Sequence, residues 1–150
     1  MIKEDKNWRL KKDIKKGKFC FLIGVNNWAI ELQKHEFELL YKLLSKLNNQ
    51  FLEIKDELMD EELINLEIEQ LPWYAELEGK KYEWNLRLIF ESTEQTRSFE
   101  MYWPIPIAEN LLYEIKKCGN QWIKKLIKLE FFKKNSPIKK FFFTPFPQLI

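Results

Sequence analysis

The sequence is poor in the residues that do chemistry. Its 150 residues hold one histidine, two cysteines and four glycines, and only Arg9, Arg87 and Arg97 are arginines. Cys20 and Cys118 stand far apart with no CxxC pair, so neither a disulfide framework nor a zinc site is expected. General acid-base or nucleophilic work needs a histidine, an activated thiol or a poised carboxylate pair. His35 lies between Lys34 and Glu36 at the start of a helical pattern, a solvated position, and Cys20 sits in an apolar run that disfavours a thiolate. These absences predict a protein that is not an enzyme and has no cofactor. Long hydrophobic runs are also missing: nothing approaches the roughly 20 apolar residues that span a bilayer. The charged beginning, MIKEDKNWRLKKD, does not read as an export segment, so the expected location is cytoplasmic with no membrane span.

What is present is a chain of single-domain size with its charge in blocks. Residues 1–18 carry eight Lys/Arg against three Asp/Glu, residues 19–106 eight against seventeen, and residues 107–150 nine against three. Basic ends on an acidic middle can serve as arms for anionic partners or as solvated termini. Lysine supplies 22 of the 25 basic residues, and lysine is a point charge without the planar fork that reads phosphates and bases in fixed geometry.

Periodicity organises the chain into strands and helices. Alternation predicts short strands at Asn7–Asp13 and Trp28–Leu32, with an apolar strand at Phe19–Ile23 between them. From Lys34 to about Met59 the period becomes helical, with Phe37, Leu40, Tyr41, Leu44, Leu47 and Phe51 on one face. Leu39, Leu43 and Leu52 widen that face, so the helix needs a sheet, or a sheet and a partner, to cover it. Five carboxylates between Asp56 and Glu62 follow without the spacing of a cation-binding loop. Ile64–Glu69, Trp73–Glu78, Tyr82–Glu91 and Phe99–Trp103 alternate as strands. Leu71 and Pro72 interrupt the first pair, and Gly79 supplies a positive φ at the turn of the second. Pro106 suits the first turn of a second helix, with Ile107, Leu111, Leu112 and Ile115 as its buried stripe and Gly119 as its C-terminal cap. Beyond it, Trp122, Ile123, Leu126, Ile127 and Phe131 among lysines form a basic amphipathic pattern. Such a helix suits a membrane surface, but more often packs on its own domain or on a second subunit. The closing FFFTPFPQLI would dock on its own chain or on a partner. The expected class is α+β: two successive units of antiparallel strands followed by a helix, in one domain over 1–119, with a basic, aromatic C-terminal extension over 120–150.

NWRL, IGVNNWAIEL, LMDEELINLEIE, WYAELEG, WNLRLIFE and YWPIPIAENLL, in that order, resemble a family of small uncharacterised cyanobacterial proteins, a domain of unknown function also found in plastid-bearing lineages. The resemblance covers Trp8 to Gly119. It implies a fold similar to that of the Whirly and positive cofactor 4 single-stranded-DNA-binding regulators, an antiparallel sheet covered by helices, and it brings no catalytic residues. Gln33 departs from the small N-cap residue such a helix prefers, and nothing transfers to the tail.

Two functions compete. The first is a non-catalytic interaction or assembly protein, contacting an unidentified protein partner or a second copy of itself. The alternative is a single-stranded nucleic-acid-binding module, in which exposed aromatics stack bases and cations follow the backbone. Most Trp and Tyr residues fall on the apolar parity. The contacts expected of either function are therefore Tyr74 and Tyr102 on the polar parity, with Lys80, Lys81, Arg87 and Arg97 for charge.

Overall fold

The computed structural model describes residues 1–135 other than Thr93 and Gln95. Its order is β1 (Ile2–Asp5), β2 (Trp8–Lys12), a 3-10 turn (Ile14–Lys16), β3 (Phe21–Val25), β4 (Trp28–Leu32), α1 (Lys34–Lys55), β5 (Ile64–Gln70), β6 (Trp73–Lys80), β7 (Glu83–Glu91), β8 (Ser98–Trp103) and α2 (Ile107–Asn135). The class is α+β, and each unit is a four-stranded antiparallel meander running into a helix. The two meanders form separate open sheets, β1-β2-β3-β4 and β5-β6-β7-β8.

Side-chain alternation sets the register. In the second sheet Ala75 stands opposite Ile68 and Leu88, and Leu88 opposite Met101, so one face is continuously apolar. Burying that face fixes the pairing, because a one-residue slip would turn every apolar side chain to water. Helix α1 lies over β5 and β6, and α2 reaches from β7 to β2 while also packing on α1. The sheets and helices thus share one core. At one end Phe21 of β3 stacks on Phe37 of α1 at 4.2 Å, and Trp122 of α2 leans on both rings. At the other end Trp73, Phe90 and Phe99 form a second aromatic cluster.

Four details depart from the sequence reading. Strand β1 was not predicted, since IKED shows no apolar alternation. It is an edge strand, exposed along most of its length, where charged residues protect an open edge. Helix α1 stops at Lys55, with the Glu57 and Leu58 amides closing its last carbonyls as short turns. The carboxylates that follow oppose the negative helix end. Tyr82 lies on the two-residue turn between Lys80 and Glu83 and is 62 % exposed, outside the core. Gly119 does not cap a helix: α2 runs through it and through the 119/120 position to Asn135. A Cβ there would lie 2.3 Å from Cδ2 of Tyr41, so this glycine lets α1 and α2 approach.

Trp122 is buried in the core, so this part of the basic amphipathic pattern packs on its own domain. The FFFTPFPQLI segment lies outside the described residues. No described helix is long and apolar enough to cross a membrane.

Candidate functional site: a groove between the two helices

The outer face of the second sheet carries the polar parity. Glu67 and Glu69 of β5, Glu76 and Glu78 of β6, Glu83 and Glu91 of β7 and Glu100 of β8 make it acidic. Arg87 lies at its centre, with Nε 2.6 Å from Glu100 and Nη1 3.3 Å from Glu76. The Arg87 bond holds the Glu100 carboxyl below its usual range. Tyr74 stands beside this network, and partial burial followed by the neighbouring Glu76 and Glu67 pushes its phenol up. Tyr102 is 51 % exposed and stands opposite Arg87 across the β7–β8 pair.

The remaining expected contacts lie elsewhere. Lys80 is paired with Glu61 at the sheet end. Lys81 donates to the Leu58 carbonyl at 3.3 Å and covers the Tyr82 ring. Arg97 turns inward: its Nη2 donates to Glu36 Oε2 at 2.7 Å, and its guanidinium lies over Phe19, Phe90 and Phe99. The structure therefore brings together Tyr74, Arg87 and Tyr102 only, with Arg87 already engaged by two carboxylates. Phosphate would meet seven glutamates here before it met a free cation, and backbone binding depends on neutralising phosphate with cations.

A different surface has the opposite character. Helices α1 and α2, with β7 beneath them, border a groove of about 500 Å³. Its floor is Phe51, Trp84 and Leu112, all buried, with the first two rings 5.8 Å apart. Leu52 and Tyr113, 53 % and 61 % exposed, stand on its walls. Lys55, Lys116 and Lys117 outnumber its one carboxylate, Glu109. Two of these ammonium groups lie over aromatic rings: Lys55 Nζ sits 5.4 Å from the Tyr82 ring, and Lys117 Nζ 5.8 Å from that of Tyr113. The sequence signal for this groove was the excess width of the α1 apolar face, of which Leu52 is the uncovered part. The α2 half was hidden because Tyr113 and Lys117 fall on a polar stripe.

A scan against protein-family descriptions matches residues 3–118 to DUF1818, a domain of unknown function. The chain belongs to the DUF1818 family. The chain is also similar to a solved structure from Prochlorococcus sp. NATL2A, described as a protein with unknown function from the DUF155 family. They share 38 % sequence identity with a TM-score of 0.74, over 79 % of this chain and 98 % of that one. No functionally curated protein matches. The neighbour agrees with the resemblance to cyanobacterial proteins of unknown function read from the strand motifs, and neither match is to a Whirly or positive cofactor 4 protein. The DUF1818 match and that neighbour carry no activity to this chain.

Burial pushes both the Cys20 and the Cys118 thiol up, which disfavours the reactive thiolate. Among the described residues no three His, Cys, Asp or Glu side chains group as metal ligands.

Proposed function

We propose that the protein is a non-catalytic binding module whose docking surface is the α1–α2 groove, taking an acidic segment of a protein partner that carries an apolar anchor. One observation carries the reading: exposed Leu52 and Tyr113 flank an apolar floor under a lysine rim. Apolar side chains left on a polar-rimmed groove mark interaction sites, and a lysine rim steers an acidic partner and excludes basic ones. Helix-in-groove recognition has this form, with anchors spaced on one face of the bound segment.

Selection from a displayed peptide library tests it. Enriched peptides are expected to combine Asp/Glu with a Leu, Phe or Trp anchor, and to lose binding to the Lys116→Glu/Lys117→Glu variant. Enrichment without acidic bias, or binding that survives the charge reversal, would refute the reading.

A second reading rests on the same lysines. Tyr82 and Tyr113 are each more than 60 % exposed beside Lys55 and Lys117, a pairing that also suits stacking of single-stranded bases. The Whirly-like resemblance points the same way. Oligothymidine polarisation across a salt series separates the two: tight, steeply salt-dependent binding favours nucleic acid. Sizing chromatography tests whether the partner is a second copy of the chain.

A further inference from the structure

Just past the groove along α2, where Gln121, Trp122 and Lys125 meet the end of β2 and the 3-10 turn, a second cleft of about 470 Å³ opens. Lys12 lines it and is only 7 % exposed. Its Nζ lies 5.7 Å from the Phe21 ring and 5.6 Å from that of Trp122. Lys15 and Lys125 line the same cleft, and among the described residues no carboxylate comes within 4 Å of any of the three lysines. The cleft's one acid, Asp13, is turned to other groups: it accepts the Lys15 amide at 3.2 Å and pairs with Lys11 at 3.7 Å. Ile14, 62 % exposed, and Trp122 supply apolar wall.

Removing an ammonium from water without a counter-ion is costly. Two aromatic faces offset part of that cost, yet the neighbouring positive charges of Lys125 and Lys34 raise it again. An arrangement of this kind is relieved by an anion.

We infer that this cleft is a binding site for a small oxyanion with an apolar body, a phosphorylated or carboxylated organic molecule, with Lys12 as the buried cation and Lys15 and Lys125 at the mouth. The oxyanion sits at the Lys12 ammonium, where charge-assisted bonds are strongest. The organic part lies against Ile14 and the Trp122 side of the cleft. This site is separate from the helix groove, so it stands or falls independently of the docking reading.

Calorimetric titration of the full chain at low ionic strength, with phenyl phosphate and with inorganic phosphate as probes, tests the assignment. Phenyl phosphate is expected to saturate one site and to bind several-fold more tightly than inorganic phosphate. Lys12→Met should weaken it at least tenfold and Lys125→Ala about threefold, while Lys42→Met, exposed on α1, leaves it unchanged. Absence of saturable binding overturns the proposal, as does equal weakening by Lys12→Met and Lys42→Met. Equal affinity for the two probes overturns the apolar-body assignment. If Lys12→Met does not fold, Lys125→Ala against Lys42→Met decides, and indistinguishable affinities overturn the site.

Discussion

Breaking the Glu36–Arg97 pair tests how the start of α1 is fastened to the second sheet. Glu36 is 2 % exposed at the third position of α1. Its Oε2 accepts Arg97 Nη2 at 2.7 Å and the Gln33 amide at 2.8 Å, while its carbonyl accepts Trp73 Nε1 at 3.0 Å. Replacing Arg97 by Met keeps much of the contact with Phe90 and Phe99 but strands a buried carboxylate on one backbone donor. Removing one partner of a buried pair costs about 3–5 kcal/mol. The Arg97 side chain is 25 % exposed, so water reaches the stranded charge in part and the lower figure, about 3 kcal/mol, is expected. Glu36→Gln still accepts the Gln33 amide and leaves Arg97 on its three rings, so about 2 kcal/mol is expected, the worth of a charge-assisted bond. Once either partner is gone, removing the other should cost little. The double variant is therefore expected to lose about 3 kcal/mol, against roughly 5 for independent effects. Urea denaturation of the four proteins measures the cycle. Additivity within about 0.5 kcal/mol would refute the coupling and reduce the pair to a surface contact.

Three other substitutions probe the fold. Gly119→Ala gains up to about 1 kcal/mol of helix propensity, but its Cβ meets the Tyr41 ring at 2.3 Å; a net loss of about 1 kcal/mol is expected in denaturation, turning into a gain when Tyr41→Ser is added, and a gain in the Tyr41 background would refute the close approach. At Gly79 the φ of 152° and the Glu83 carbonyl 2.3 Å from a Cβ predict that Gly79→Ala costs roughly 2 kcal/mol or more, read as a lowered melting temperature. Lys12→Met should stabilise the protein by on the order of 1 kcal/mol near neutral pH. Burial, ahead of the neighbouring lysines, lowers the Lys12 pKa. The unfolded chain therefore holds the proton more tightly, and the penalty on the fold is complete below the folded pKa and relieved as pH rises toward the ordinary lysine value of about 10.4. The stability advantage of Lys12→Met should shrink as pH rises from neutral toward that ordinary value; an advantage constant with pH would refute the charge as its source.

Legibility followed how local each cause is. The alternation of Trp84, Leu86, Leu88 and Phe90 states a half-buried strand within nine residues, and β7 is where it was read. The Leu71-Pro72 turn was equally visible, since a proline between two alternating runs leaves few other structures. Features set by another part of the chain were not visible. Gly119 looks like a helix end until Tyr41, far away in sequence, is found against it. Arg97 reads as an exposed cation in a polar loop because its partner, Glu36, is 61 residues distant. Lys12 falls on the inward parity of β2 with Trp8 and Leu10, which was a local signal, but only the tertiary fold places Trp122 and Lys125 beside it. Of the candidate site, the exposed Leu52 was implied by the breadth of the α1 face, whereas the lysine rim needed the crossing of two helices.

The charge blocks acquire a spatial meaning from the same geometry. Chain order alone gave an acidic middle and basic ends, consistent with solvated arms. In the fold, the acids of β5–β8 gather on the outer face of one sheet, while Lys116 and Lys117 of α2 join Lys55 of α1 on the groove rim. The two signs thus occupy different surfaces, because strand alternation sends acids outward whereas the helices bring lysines from distant segments onto one edge. A nearly neutral total conceals two oppositely charged surfaces. An acidic partner would be repelled from the sheet and guided to the helices, so charge reversal on the rim should slow association far more than the same reversal at Arg87, and more so at low salt.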